Sequence, residues 1–150
     1  MTQRLHAEQL RNISSDYLRQ GRRQEVWDIV WVEVSENRLQ AQVRMLSHYQ
    51  SATDSHGFHL SSFATLEFVS QLFIIYGHVL AGLTEKKQEA WMMESAIVCR
   101  KAIRTADDIR VDMDFRTLKK IGDRMLGTAK ARIWDEAGGE FTAEVKALLA

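Results

Sequence analysis

The stretch "SHGFHLSSFATLEFVSQLFIIYGHVLAGL", Ser55 to Leu83, decides how the chain folds. From Ser62 onward the spacing predicts a helix of about 22 residues, ~33 Å long at 1.5 Å per residue. Ser61 or Ser62 supplies a hydroxyl for its N-cap. Phe, Leu, Val and Ile fall on nearly every face of that helix. A helix apolar nearly all round must be wrapped by other structure. Two features resist a plain core reading. The entry is polar, with His56, His59 and two serines. Glu67 then sits one to two turns inside.

The flanks say what does the wrapping. Before the helix, "EVWDIVWVEVSENRLQAQVRML" reads as two strands around the turn Ser35-Glu36-Asn37. Strict alternation puts Val26, Val30, Val32 and Val34 on one face and Trp27, Ile29 and Trp31 on the other. A strand apolar on both faces is buried on both sides or faces a partner subunit. After the helix, "TEKKQE" is a charged connection and "SAIVCRKAI" a strand. "DIRVDMDFRTL" alternates with period two: Ile109, Val111, Met113 and Phe115 on one face, Arg110, Asp112, Asp114 and Arg116 on the other. "MLGTAKARIWDEAGGEFTAEVKALL" is a hairpin turning within Asp135 to Gly139. At the start, Leu10, Ile13, Tyr17 and Leu18 predict a short amphipathic helix over about residues 5–20.

The order is helix, two strands, long apolar helix, four strands. One curved antiparallel sheet folded round one helix satisfies it. The expected class is therefore α+β with the hotdog architecture, as a single domain over residues 1–150. A ferredoxin-like sandwich fits less well, because one long helix alone follows the first hairpin.

Composition narrows the function. Twenty basic and twenty acidic side chains leave a net charge of zero, which argues against nucleic acid as a partner. The N-terminal stretch lacks the apolar core of a signal peptide, and no apolar run reaches the length needed to span a bilayer. The single cysteine, Cys99, excludes an internal disulfide and a cysteine-based zinc cluster. A cytoplasmic location is the expectation.

From "GFHLSS", "SQLF", "ESAIVCRKA" and "WDEAGGEFTAEV", in that order over residues 57–150, the chain resembles hotdog acyl-thioester proteins, most narrowly the FcoT-type fatty acyl-CoA thioesterases. The resemblance implies an acyl-CoA or acyl carrier protein thioester as substrate, and a homodimer with its acyl tunnel at the interface. Coenzyme A or phosphopantetheine would enter as part of the substrate, with no separate cofactor. Addition of glycine across an unsaturated acyl-carrier-protein thioester is also linked to that family. The chain departs from its pattern: Ser61 and Ser70 stand where asparagines occur, and Tyr49 is the nearest tyrosine upstream of His59. A second resemblance is to hotdog dehydratases acting on acyl carrier protein. "LEFVSQL" sets Glu67 four residues before Gln71, as those enzymes do, but their "HFP" segment is missing.

At 100° per residue Glu67, Ser70, Gln71 and His78 fall on one stripe of the helix. Burying a carboxylate without a role is costly, so Glu67 is the first candidate base; an ion pair at an interface is the structural alternative. His59, just before the helix, is the second candidate, as acid, base or carbonyl donor; a solvated loop histidine is its alternative. Ser61, Ser62, Ser70, Gln71, Gly57, Tyr49 and His56 are expected around the substrate. The first amides of the helix can polarise a thioester oxygen. No "GxSxG" elbow makes either serine a nucleophile. His48, Asp54, His56 and His59 match no compact zinc spacing, so no metal is expected. A non-catalytic acyl-binding hotdog protein is the reading from a different class.

Overall fold

The computed structural model describes residues 1–15, 25–47, 53–54 and 57–150. The elements are β1 (Gln3–Leu5), α1 (Ala7–Ile13), β2 (Trp27–Ser35), β3 (Arg38–Met45), α2 (Ser62–Leu80), β4 (Ala90–Lys101), β5 (Ile109–Ile121), β6 (Arg124–Trp134) and β7 (Glu140–Leu149). The strands form one antiparallel sheet in the order β1-β2-β3-β5-β6-β7-β4. The sheet curls round α2, whose Phe68, Val69, Leu72, Phe73, Ile75 and Tyr76 are completely buried.

Two expectations change. The N-terminal helix is shorter than predicted and is preceded by a strand: Leu5 belongs to β1, paired with Val32. Gln9 reaches back to the His6 N–H at 3.2 Å, which starts α1 after the strand instead of within it. Tyr17 and Leu18 lie outside the described residues. In β2, strict alternation fails. A bulge between Ile29 and Trp31 inserts one residue and flips the pattern, so Trp27, Ile29, Val32 and Val34 all turn to the core. Trp31 is left on the outer face, where its indole donates to Gln42 at 2.9 Å and Arg4 stacks on its ring. With the bulge, one face of β2 is uniformly apolar, and the other mixes Val30 and Trp31 with Asp28, Glu33 and Ser35.

The later strands follow their alternation. Ile109, Val111, Met113 and Phe115 all face the core. Outside, Arg38 on β3 donates to Asp112 on β5 at 2.8 Å. The hairpin turns fall at Glu36-Asn37 and across residues 135–139. Tyr76 ties helix to sheet: its hydroxyl donates to the Glu36 carbonyl at 2.6 Å and its ring stacks on Phe115, centroids 3.5 Å apart.

α2 ends three residues earlier than predicted. Gly82, at φ +68°, reverses the chain; its N–H bonds the Val79 carbonyl, and the Leu83 N–H bonds that of His78. These paired bonds satisfy carbonyls the last turn would leave open. Contrary to the reading that no run is long enough, α2 has the length and hydropathy to cross a membrane. Two-thirds of that window (67%) is buried inside the fold, and wrapping accounts for its apolar character.

Candidate active site

The N-terminal half of α2 is not fully covered. Phe63 is 73% exposed, and Leu66, Glu67 and Ser70 are partly exposed beside it. Their spacing of three, one and three residues is one helix face, so α2 presents an open stripe of two apolar and two polar side chains. Glu67 is thus half-buried at the rim of the core, not sunk within it. The indole of Trp27 on β2 donates to its Oε2 at 2.9 Å. Trp27 is itself 3% exposed and meets Phe68 edge-on, centroids 6.3 Å apart. A rigid donor on a strand therefore orients a carboxylate on a helix.

The helix entry forms the other side. Ser61 is the N-cap: its hydroxyl accepts from the Ala64 N–H at 3.0 Å and donates to Glu25 Oε2 at 2.7 Å. Ser61 thus both caps the helix and ties its entry to Glu25. Ser62 is exposed. Ser70 turns its hydroxyl back to the Leu66 carbonyl at 2.8 Å. Gly57 has φ +79°, a conformation that favours glycine, and leads into Phe58 and Leu60, both buried.

His59 points outward between those two anchors. Its Nδ1 lies 2.9 Å from Asp54 Oδ2, and Arg104 Nη1 is 3.3 Å from the same oxygen. Arg104 is held from behind, because Asp135 accepts from the N–H groups of Arg104, Thr105 and Gly139 at 2.9, 3.0 and 2.7 Å. Burial alone would raise the Asp135 carboxyl; those bonds outweigh it and hold the pKa below the ordinary aspartate value. The sequence reading missed Asp135, Arg104 and Asp54 as the support for His59. The turn "WDEAGG" carried the signal for the first, since a turn aspartate commonly accepts backbone N–H groups.

The rest of the predicted stripe separates. Gln71 is 1% exposed and turns toward α1, with its Oε1 accepting the Ser15 N–H at 3.2 Å. His78 is fully buried near the far end. Its Nδ1 lies 2.8 Å from the Ile74 carbonyl, and its Nε2 accepts from the N–H groups of Lys87 and Gln88 at 2.9 and 3.3 Å. It closes the α2–β4 connection and takes no part in the open stripe. Tyr49, His56 and His48 lie outside the described residues. Among the described residues no cluster of three His, Cys, Asp or Glu side chains could hold a metal.

No protein-family model matches the chain. No curated protein matches it either. Solved structures do. Escherichia coli PaaI, from the phenylacetic acid degradation operon, superposes with a TM-score of 0.54 at 13% identity, over 81% of each chain. A conserved Pseudomonas aeruginosa protein, PA5202, gives 0.54 at 13% identity over 93% of this chain and 98% of its own. A mutant of a Streptococcus pneumoniae protein described as a hypothetical thioesterase gives 0.52 at 12% identity, over 83% of this chain and 91% of that one. The chain has the hotdog fold. At these identities the likeness speaks for the fold, and the chemistry rests on the site.

Proposed function

We propose that the protein is an acyl-thioester hydrolase working as a homodimer, with Glu67 as the base or water-orienting group. The observation that carries this reading is the placement of Glu67. It lies at the rim of an apolar core, oriented by Trp27, on a stripe with Phe63 and Leu66 against which an acyl chain can lie. The helix N-terminal amides next to Ser61 supply partial positive charge for a thioester oxygen. His59, backed by Asp54, is the second group able to move a proton at the entry. Water attacks the thioester carbonyl as Glu67 accepts its proton, and the thiol of the carrier leaves protonated. The thioesterase description of the Streptococcus structural neighbour agrees with this class.

The dehydratase reading, with Glu67 and Gln71 acting as a pair, is less favoured. Gln71 is committed to Ser15 at the α1 side while Glu67 meets Trp27. Hydrolysis of an acyl-CoA panel, assayed beside enoyl and 3-hydroxyacyl carrier-protein substrates and glycine addition, tests the proposal. Thiol release from saturated acyl-CoA or acyl carrier protein is the expected result. Turnover of the enoyl or hydroxyacyl substrates alone would replace hydrolysis with lyase or addition chemistry, and activity on none would leave an acyl-binding protein.

A further inference from the structure

A cleft of about 340 Å³ opens between α1, the outer end of β2 and the middle of α2. That volume falls in the range of small-molecule sites. Leu10, Trp27 and Ile29 supply apolar wall; Arg11, Arg44 and Gln71 supply polar groups. Arg44 is paired with Asp28 at 2.9 Å, which cancels one positive charge of the rim. Arg11 has no ion-pair partner among the described residues, so the balance of these rim charges is positive.

Gln71 is the informative member. It is 1% exposed, and its Oε1 is committed to the Ser15 N–H. A donor N–H requires the carbonyl end there, so the amide cannot be turned round. The group left over is Nε2, a buried donor with no partner among the described residues. Buried polar groups are nearly always satisfied, and one that is not asks for a missing acceptor.

We propose that this cleft is a binding site for a small aliphatic carboxylate, distinct from the open stripe of α2. One carboxylate oxygen accepts from Gln71 Nε2, Arg11 balances the charge, and the tail lies against Leu10, Ile29 and the Trp27 ring. The same ring holds Glu67 through its indole N–H, so an occupant touches the residue that orients the candidate base. The inference does not rest on the proposed hydrolase activity: the cleft shares Trp27 with that site but needs neither Glu67 nor the helix entry.

Titration of the isotope-labelled protein with sodium hexanoate, followed by NMR, tests it. The Gln71 side-chain amide and the Leu10 and Ile29 methyls should shift saturably. Hexanol, which keeps the tail and lacks the carboxylate, should bind about tenfold more weakly or worse, the scale of a lost charge-assisted hydrogen bond. Gln71→Leu should weaken hexanoate by a similar factor. Arg11→Gln, at an exposed position, should weaken it while leaving the fold intact, and so serves if the core variant does not fold. No saturable shift, equal binding of hexanol, or shifts confined to Phe63 and Leu66 would each overturn the proposal. The last outcome would place the acid on the candidate active site and leave that reading standing.

Discussion

The indole N–H of Trp27, on β2, donates to Oε2 of Glu67, on α2, at 2.9 Å. A strand donor that is itself packed against Phe68 cannot swing away, so the carboxylate direction is fixed by the core. If Glu67 acts as base, Glu67→Gln removes basicity while keeping an oxygen for the indole. kcat should fall by about 10²–10⁴, the usual worth of general-base catalysis, with KM and melting temperature nearly unchanged. Trp27→Phe should lower kcat while Glu67 stays in place. A Glu67→Gln enzyme of full activity and lowered melting temperature would falsify the catalytic assignment and move it to His59.

The second prediction concerns the sheet edge at β4. Among the described strands β4 pairs on one side alone, with β7. Trp91, Met93 and Val98 on it are 65%, 56% and 50% exposed. A long edge with apolar side chains is an aggregation hazard unless something covers it. If a second copy pairs there it covers these side chains, and the expectation of a dimer then rests on β4 rather than β2. Sedimentation at micromolar concentration should give a dimer for the native chain. Val98→Lys together with Met93→Lys should shift it toward monomer; a monomeric native chain would sink the dimer.

His78 should make stability depend on pH near neutrality. Burial pushes its pKa below the ordinary 6.5, and nearby Lys86 adds to that; the Ile74 carbonyl and Glu89 oppose them. Nε2 must accept from two N–H groups, so the ring is neutral with its proton on Nδ1. The unfolded chain protonates this histidine at about pH 6.5 and the folded chain does so only lower. Its contribution is therefore intact above that value and is lost as pH falls through it toward the folded pKa. Urea midpoints should decline below about pH 6.5 in the native chain and stay flatter in His78→Gln. Equal slopes in both would remove His78 from the account.

The sequence made α2 legible because length and apolar content on every face report burial directly. It made β5 legible because Ile109 through Phe115 alternate without interruption. Trp31 was misplaced for a definite reason: one inserted residue at the bulge reverses every face beyond it, and periodicity carries no sign of it. Glu67 could be singled out from composition alone, as a carboxylate inside an apolar run. Its partner could not, because Trp27 lies 40 residues away along the chain. Gln71 and His78 shared the angular position of Glu67 but not its surroundings. α1 covers one and the α2–β4 connection the other, and a helical wheel holds neither.

Asp135 offers the last test, of the framework under His59. Its carboxylate is 3% exposed and accepts three backbone N–H groups, two from the Arg104-Thr105 segment and one from Gly139. Arg104 then reaches Asp54, which meets His59. Asp135→Asn keeps the shape but puts an NH₂ where one oxygen accepted. At least one buried N–H is left unsatisfied, a cost of about 1–3 kcal/mol. The carboxyl is held below its ordinary value of 3.8, so its stabilisation is complete above that pH and is lost as pH falls from there toward the folded pKa. Thermal melts from about pH 5 to about pH 3 should show a slope from this group in the native chain that the Asn variant lacks. If His59 takes part in catalysis, Asp135→Asn should also lower kcat near neutral pH, through loss of its Arg104–Asp54 support. Asp54→Asn should lower kcat as well with a smaller effect on melting, because Asp54 is partly exposed. A drop in melting temperature for Asp135→Asn with kcat unchanged in both variants would assign the whole chain of contacts to folding and remove His59 from the chemistry.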